Sequence, residues 1–145
     1  MKRSFAAAAL ALFALSALQG CTTQLIEGQK QELRTYESKG LLVQEKNPAL
    51  AAGLGVIPTA GYFYTGHPAI AVTSLPLYLF LGPIWMPFDA YNAAEARNYY
   101  ATKASVERAK AKAIRDNDHE MEDKKIDYEQ HIRNQRVIEE KYSAY

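Results

Sequence analysis

Few residues of this chain combine a reactive type with a spacing that chemistry could use, and the best set surrounds His119. Asp116 lies three residues before this histidine and Asp123 four residues after it, so a helix would place all three on one face. An imidazole with two carboxylates suits a divalent metal ion. Acidic residues are abundant throughout this part of the chain, so a solvated charged face explains the same pattern.

The sequence contains none of the motifs that mark a catalytic site. A nucleophile elbow (Gly-x-Ser-x-Gly), a phosphate-binding loop and a dinucleotide fingerprint are all absent. His67 lies between Gly66 and Pro68, where a structural role in a turn is expected. These observations predict neither a catalytic residue nor a bound cofactor.

The one cysteine of the chain, Cys21, stands directly after an apolar segment near the amino terminus. Lys2 and Arg3 come first, and residues 5–17 are almost wholly Ala, Leu and Phe. Two basic residues followed by an apolar segment predict a secretory signal peptide over residues 1–20. The apolar segment is too short to cross a bilayer, which needs roughly 20 apolar residues. A single cysteine also excludes a disulfide framework and a cysteine-based zinc site.

The segment Leu18-Gln19-Gly20-Cys21 resembles the lipobox of bacterial lipoproteins. The resemblance implies that the Cys21 thiol receives a diacylglycerol, that the chain is cleaved between Gly20 and Cys21, and that the new amino terminus is acylated. Buried acyl methylenes contribute about 0.8 kcal/mol each, so two or three chains form a stable anchor. Such a protein faces the periplasm. Thr22 after the cysteine, in place of Asp, implies the outer rather than the inner membrane.

Charge is distributed unevenly along a chain that is nearly neutral as a whole. The 145 residues include 17 Lys and Arg against 16 Asp and Glu, without the basic surplus of a nucleic-acid binder. The length predicts one small domain. No charged residue occurs from Asn47 to Phe88, whereas residues 95–145 carry 11 basic and 11 acidic side chains. After the signal we therefore distinguish a polar tether (21–46), an apolar block (47–88) and a charged helical tail (89–145).

The polar tether contains a loosely helical spacing of Leu25, Leu33 and Tyr36. Lys39-Gly40 predicts the end of such a helix. Its composition predicts that this segment connects the lipid to the apolar block.

The apolar block predicts a helical hairpin. Asn47 and Pro48 have the types expected at the N-cap and first turn of a helix, and Thr65-Gly66-His67-Pro68 predicts a turn between two apolar runs. Pro58 and Pro76 interrupt these runs. A long segment without charge is costly to expose to water. We therefore expect the hairpin to associate with a membrane or a protein partner, or else to form the core of a small soluble domain.

Within this block, Pro58-x-x-Gly61-Tyr62-x-Tyr64-x-Gly66 followed by Trp85-x-x-x-Asp89 resembles the glycine/aromatic hairpin of TM2-type proteins. Asn98-Tyr99-Tyr100-Ala101-Thr102 is similar to an Asn-Tyr-x-x-Thr element of small bacterial TM2-like proteins. The resemblance covers residues 47–102. It implies a membrane-associated hairpin and no defined biochemical activity.

The charged tail contains neither Pro nor Gly from Ala90 to Lys141, and helix-forming residues dominate it. Asp89 is the predicted N-cap. Asp116-Asn117-Asp118 is predicted to interrupt the helix of the tail, with Asp118 as the N-cap of a second helix. Apolar residues are too sparse for a regular coiled coil, so the pattern favours a long solvated helix or a helical pair.

These observations predict a mainly α-helical protein in which a membrane-associated hairpin precedes a long charged helix or helical pair. The predicted function is a structural or accessory role in the bacterial cell envelope, with a lipid anchor at Cys21. The tail would be a helical arm that contacts a protein partner or a second copy, and nucleic acid is excluded. The alternative function is a periplasmic module that binds a metal or ligand through His119 and the tail carboxylates.

Overall fold

The computed structural model describes residues 24–145, apart from the side chains of residues 77 and 79–81. Five α-helices account for most of this part of the chain: α1 (Glu27–Ser38), α2 (Pro48–Gly55), α3 (Ala60–Thr65), α4 (Pro68–Glu122) and α5 (Tyr128–Tyr142). The prediction of a mainly helical protein is confirmed, and residues 24–145 contain no β-strand. Nor does any helix in this range combine the length and hydropathy needed to cross a bilayer.

The described chain forms two compact units, whereas its length predicts one domain. The apolar unit comprises the described residues up to Ile26 together with Glu45–Asn98, and the charged unit comprises Glu27–Gln44 and Tyr99–Tyr145. The charged residues of the apolar unit are few (Glu45, Lys46, Asp89, Glu95 and Arg97). Most of the predicted tether belongs to the charged unit, and the predicted boundary at 88/89 falls inside α4.

Helix α1 ends where the sequence predicts. Gly40 has a φ of 69°, a left-handed conformation that glycine adopts without steric cost. Its N–H donates to Glu37 O at 3.0 Å, and Leu41 N donates to Tyr36 O at 2.8 Å. These two bonds satisfy carbonyl groups that the last helical turn would otherwise leave unpaired.

The predicted start of the apolar block is confirmed at α2. The side chain of Asn47 accepts a hydrogen bond from Leu50 N at 3.0 Å, and Pro48 occupies the first turn. The first apolar run then divides into two short helices, with Pro58 in the break between α2 and α3. The predicted turn is also confirmed, because Gly66 ends α3 with a φ of 81°.

Helix α4 continues through Pro76, Pro83 and Pro87 and so passes the predicted end of the apolar block. The prediction that Asp89 caps a new helix is wrong, since Asp89 lies inside α4 and its carboxylate accepts a bond from a tyrosine. Each internal proline costs about 3 kcal/mol relative to alanine. Packing offsets this cost, because Met86, directly before Pro87, is 1% exposed.

The prediction that Asp116-Asn117-Asp118 interrupts the tail helix is also wrong, because α4 runs through it to Glu122. Asn117 is buried, and its Nδ2 donates to His131 O at 3.1 Å. Its side chain is thus used to hold α5 and does not compete with the backbone bonds of α4.

The break between α4 and α5 follows Glu122. Lys124 has a φ of 58°, and α5 begins after Asp127. Asp127 caps α5, since its Oδ1 accepts a hydrogen bond from Gln130 N at 2.6 Å. The residue predicted for this role, Asp118, contacts His131.

Small residues allow α2 and α3 to pack closely on α4. A methyl group added to Gly55 would lie 2.7 Å from Pro87 Cα, and one added to Gly61 would lie 2.9 Å from Ala90 Cβ. Side chains larger than hydrogen therefore do not fit at either glycine without movement of α4. The same contact contains the fully buried residues Ala51, Ala90 and Ala94.

Candidate functional site

Three of the predicted hairpin residues come together inside the apolar unit. The hydroxyl of Tyr62, on α3, donates to Asp89 Oδ2 on α4 at 2.6 Å. Trp85 Nε1 donates to the same hydroxyl oxygen at 3.4 Å. Tyr62 is 3% exposed, so the bond to Asp89 satisfies a polar group that burial would otherwise leave unpaired. The three side chains therefore tie α3 to α4.

The environment of Tyr62 fixes its protonation state. Burial, and then the hydrogen bond to Asp89, raise the pKa of Tyr62 well above the ordinary tyrosine value. The hydrogen bond from Trp85 lowers the pKa of Tyr62, but by less than these two effects raise it. Tyr62 stays neutral near pH 7 and serves as a donor in a structural contact, not as a nucleophile.

The other predicted hairpin residues lie around the turns of the same unit. Tyr64 Oη accepts a hydrogen bond from Asn47 N at 3.0 Å, and Lys46 Nζ lies 4.6 Å from the centre of its ring. Arg97 Nη1 donates to Thr65 O at 3.2 Å, directly beside Gly66. Gly61 permits the contact with α4, and Pro58 lies in the break between α2 and α3. These residues shape the unit and do not converge on a pocket with reactive groups.

The Asn-Tyr-x-x-Thr element has a role that sequence reasoning missed. Within the apolar unit, Asn98 Nδ2 donates to Lys46 O at 2.8 Å and Asn98 Oδ1 accepts from Lys46 N at 2.9 Å. Within the charged unit, Thr102 Oγ1 accepts from Val43 N at 3.0 Å. Each polar side chain thus bonds to the backbone N–H and C=O groups of one residue outside the helices. The sequence signal for this role is the spacing of Asn98 and Thr102, which are four positions apart and therefore lie on one face of α4.

The residues proposed for a metal site do not converge. His119 Nδ1 lies 3.2 Å from Glu122 Oε2, whereas Asp123 Oδ2 pairs with Lys125 Nζ at 2.8 Å. Between residues 24 and 145, no three His, Cys, Asp or Glu side chains are grouped so that they could hold a metal ion. The alternative of a metal site at Asp116, His119 and Asp123 is therefore not supported.

His131 forms a tertiary contact within the charged unit. Its Nε2 lies 2.8 Å from Asp118 Oδ1, across the α4–α5 pair. Its Nδ1 is buried and has no hydrogen-bond partner among the described residues. Helical spacing does not predict this pairing, because Asp118 is thirteen positions away from His131 in the sequence.

The apolar unit exposes large apolar side chains on the outer face of α4. Ile84 is 69% exposed, Phe88 73% and Tyr91 40%. These residues follow the spacing i, i+4, i+7, so they form one stripe along the helix. We call Ile84, Phe88 and Tyr91 the apolar stripe. Other large apolar residues of the unit that are more than half exposed are Ile26, Leu50, Val56, Ile57, Phe63, Val72 and Leu75.

Gly20, Cys21 and the predicted signal peptide over residues 1–20 lie outside the described residues. The described chain begins three residues after Cys21, and its first residues, 24–26, belong to the apolar unit. No protein family, characterised protein or solved structure matches this chain. The resemblances to the lipobox and to the TM2-type hairpin thus stay predictions.

Proposed function

We propose that this protein is a bacterial cell-envelope lipoprotein with a structural or accessory role, anchored by lipid at Cys21. The observation that carries the proposal is the exposure of large apolar side chains in the apolar unit, whose first described residues follow Cys21 closely. Exposed apolar surface of this kind marks a contact with a membrane or another protein. Acylation of the nearby cysteine supplies the membrane.

In this proposal the residues of the apolar block form a hairpin-like element at the membrane surface. Helices α2 and α3 pack on α4 through Gly55 and Gly61, and Tyr62 bonds to Asp89 across the same contact. The 42 residues from Asn47 to Phe88 carry no charge, so no ionised side chain of this block opposes contact with lipid. The protein faces the periplasm, and Thr22 favours the outer membrane.

The charged unit is proposed as the helical arm that contacts a protein partner or a second copy. Polar contacts join α5 to the part of α4 that belongs to this unit. Most of the charged side chains of the unit are exposed at the surface. Tyr128, which is 71% exposed, and Val137, which is 63% exposed, offer apolar contacts on α5. Aromatic residues are enriched at protein interfaces relative to the rest of the surface.

The test is the chemical state of Cys21 together with the location of the protein. Mass spectrometry of the purified wild-type protein is expected to find a chain that starts at Cys21 and carries acyl groups. The Cys21→Ala variant is expected to lose this mass and to leave the anchored membrane fraction, whereas Thr22→Ala retains both. An unmodified thiol on wild-type protein recovered from osmotic-shock fluid would contradict the proposal.

A second variant tests the membrane assignment separately. Thr22→Asp is expected to move the acylated protein from the outer to the inner membrane, as measured by separating the two membranes on a sucrose gradient. Equal distribution of Thr22→Asp and wild type would contradict the outer-membrane assignment while leaving the anchor intact.

A further inference from the structure

We infer that the apolar stripe is a peripheral membrane-binding surface, which lies at the boundary between lipid headgroups and acyl chains. This inference rests on the proposed function, because the anchor at Cys21 brings the bilayer close. It deepens that proposal by naming the side chains that contact lipid and a shallow, non-spanning mode of binding.

The geometry of α4 separates the stripe from the core of the apolar unit. Met86 and Ala90 are buried against the rest of the unit, at 1% exposure each, and they alternate along the chain with Ile84, Phe88 and Tyr91. The stripe therefore points away from the packed face of the helix. An aromatic and an aliphatic side chain this exposed gain free energy by leaving water.

The charged residues near the stripe limit how deeply it can insert into a bilayer. No charged residue precedes it back to Asn47, and the next carboxylates along α4 are Asp89 and Glu95. Asp89 accepts the hydrogen bond of Tyr62, whereas Glu95 is bonded to the hydroxyl of Tyr91. The charge of Glu95 is the main reason why the pKa of Tyr91 is raised. Tyr91 lies three positions after Phe88 on α4 and has its hydroxyl beside a carboxylate, and a partly exposed tyrosine of this kind favours the membrane–water interface.

The position of the anchor favours lipid over a protein as the partner of this surface. Residues 24–26 belong to the apolar unit, and Gln24 lies three residues after Cys21. An extended chain spans about 3.6 Å per residue, so an acylated Cys21 would hold Gln24 within roughly 11 Å of the bilayer surface. A unit that is tethered so closely meets the membrane at a high effective concentration.

The size of the stripe is also suited to lipid. Its three partly exposed side chains present on the order of 350 Å² of surface, whereas a stable protein interface needs about 800 Å² per partner. Insertion into a bilayer has no such minimum, because each apolar side chain contributes by itself once an acyl anchor is in place. A second copy of the chain would need a larger contact than the stripe offers.

The experiment uses the acylated protein in vesicles of phosphatidylethanolamine and phosphatidylglycerol. Trp85 is the only tryptophan of the chain, and its partly buried indole packs against the core of the apolar unit. Its quenching by lipid therefore reports how close the unit that carries the stripe lies to the acyl chains. We expect lipids that carry bromine on the first acyl carbons to quench Trp85 in the wild type. Phe88→Glu is expected to reduce the quenching constant about fivefold or more, because an ionised side chain is not transferred into the acyl region.

The matched control is Tyr128→Glu, which changes an aromatic of similar exposure on α5 (71% against 73% for Phe88). It is expected to leave the quenching of Trp85 unchanged. Circular dichroism establishes that each variant is folded, and Ile84→Ser, a milder change in the same stripe, is expected to reduce quenching by a smaller factor. If quenching is absent in the wild type, or equal in wild type and Phe88→Glu, the inference is wrong.

Two further outcomes separate this inference from the proposed function. If Cys21 carries no lipid, the proposed function fails, and adding vesicles to the unmodified protein still tests the surface through the same quenching. If sedimentation equilibrium finds a dimer in the wild type and a monomer in Phe88→Glu, while brominated lipids quench neither, the stripe binds a second copy. That result would overturn the inference without affecting the anchor.

Discussion

The apolar unit and the charged unit are both helical, but different contacts hold their helices together. In the apolar unit, Gly55 and Gly61 let backbones approach each other closely, and alanines fill the space between helices. In the charged unit, polar side chains bond to backbone groups, as Asn117 does to His131 and Lys39 Nζ does to Glu140 O at 2.8 Å. The comparison shows that helix packing in one short chain can depend on shape in one region and on hydrogen bonding in another.

The difference follows from composition. A segment without charged residues has few polar side chains to pair, so its stability depends on how well its surfaces fit. A segment rich in Asp, Asn, Lys and Glu must satisfy each polar group that it buries, and the bonds that do so also align the helices. The apolar unit should therefore be most sensitive to added side-chain volume, and the charged unit to the loss of a hydrogen-bonding group.

The largest expected effect comes from Gly55→Ala in the apolar unit. The added methyl group would lie 2.7 Å from Pro87 Cα and 2.8 Å from Pro87 N, which are backbone atoms that side-chain rotation cannot move aside. We expect the free energy of unfolding to fall by about 2–3 kcal/mol, as for overpacked cores. Urea unfolding followed by Trp85 fluorescence measures this change.

Gly53→Ala is the matched control on the same helix. Nothing lies within 4 Å of the position that its methyl group would occupy. Alanine favours the helix over glycine, so this variant is expected to gain about 0.5–1 kcal/mol. If both variants change stability in the same direction and by similar amounts, close packing at Gly55 does not hold the apolar unit together.

A smaller effect is expected from Asn117→Ala in the charged unit. The substitution removes the bond to His131 O and the bond from Asn134 Nδ2 to Asn117 Oδ1, each 3.1 Å long. Leaving buried groups unpaired is expected to lower the stability of the α4–α5 pair by about 1–2 kcal/mol. Faster hydrogen exchange of the α5 amides would record this loss.

Arg136→Ala, at an exposed position of α5, controls for the loss of a long side chain from the same helix. Its amides are expected to exchange as in the wild type. The view that hydrogen bonds hold the charged unit would fail if the two variants had equal exchange rates.

Local signals in the sequence were sufficient for the helix ends in which a single residue decides the conformation. Asn47 and Gly40 are examples, because a cap or a left-handed glycine depends on its immediate neighbours. Asp89 and Asp118 were assigned wrongly as caps. Each bonds to a residue that is distant in sequence, Tyr62 or His131, and no local pattern reveals such a partner.

In the candidate site, too, local sequence identifies the residues but not their contacts with distant parts of the chain. The motif residues Tyr62, Trp85 and Asp89 were identified by resemblance, but their mutual contact depends on how α3 packs against α4. The apolar stripe has a regular helical spacing and was visible in principle. It was missed because Pro83 and Pro87 favour a helix end, whereas buried neighbours keep α4 continuous.

Tyr62→Phe is expected to have the smallest effect and tests the buried hydroxyl–carboxylate bond between α3 and α4. Near pH 7, loss of the bond to Asp89 should lower the free energy of unfolding by about 1 kcal/mol. The raised pKa of Tyr62 makes this difference depend on pH. Below the ordinary tyrosine pKa of about 10, Tyr62 is neutral whether the chain is folded or unfolded, so the difference is constant.

Above this pH the unfolded chain loses the Tyr62 proton while the folded chain keeps it, so the stability that the neutral hydroxyl confers falls as the pH rises. From pH 7 to pH 11 the wild type should lose about 1.4 kcal/mol more stability than Tyr62→Phe, so the variant should become the more stable of the two. The other tyrosines titrate in both proteins and cancel in the comparison. Unfolding curves at pH 7, 9 and 11 measure the crossover, and parallel profiles would mean that Tyr62 is not held neutral by burial and Asp89.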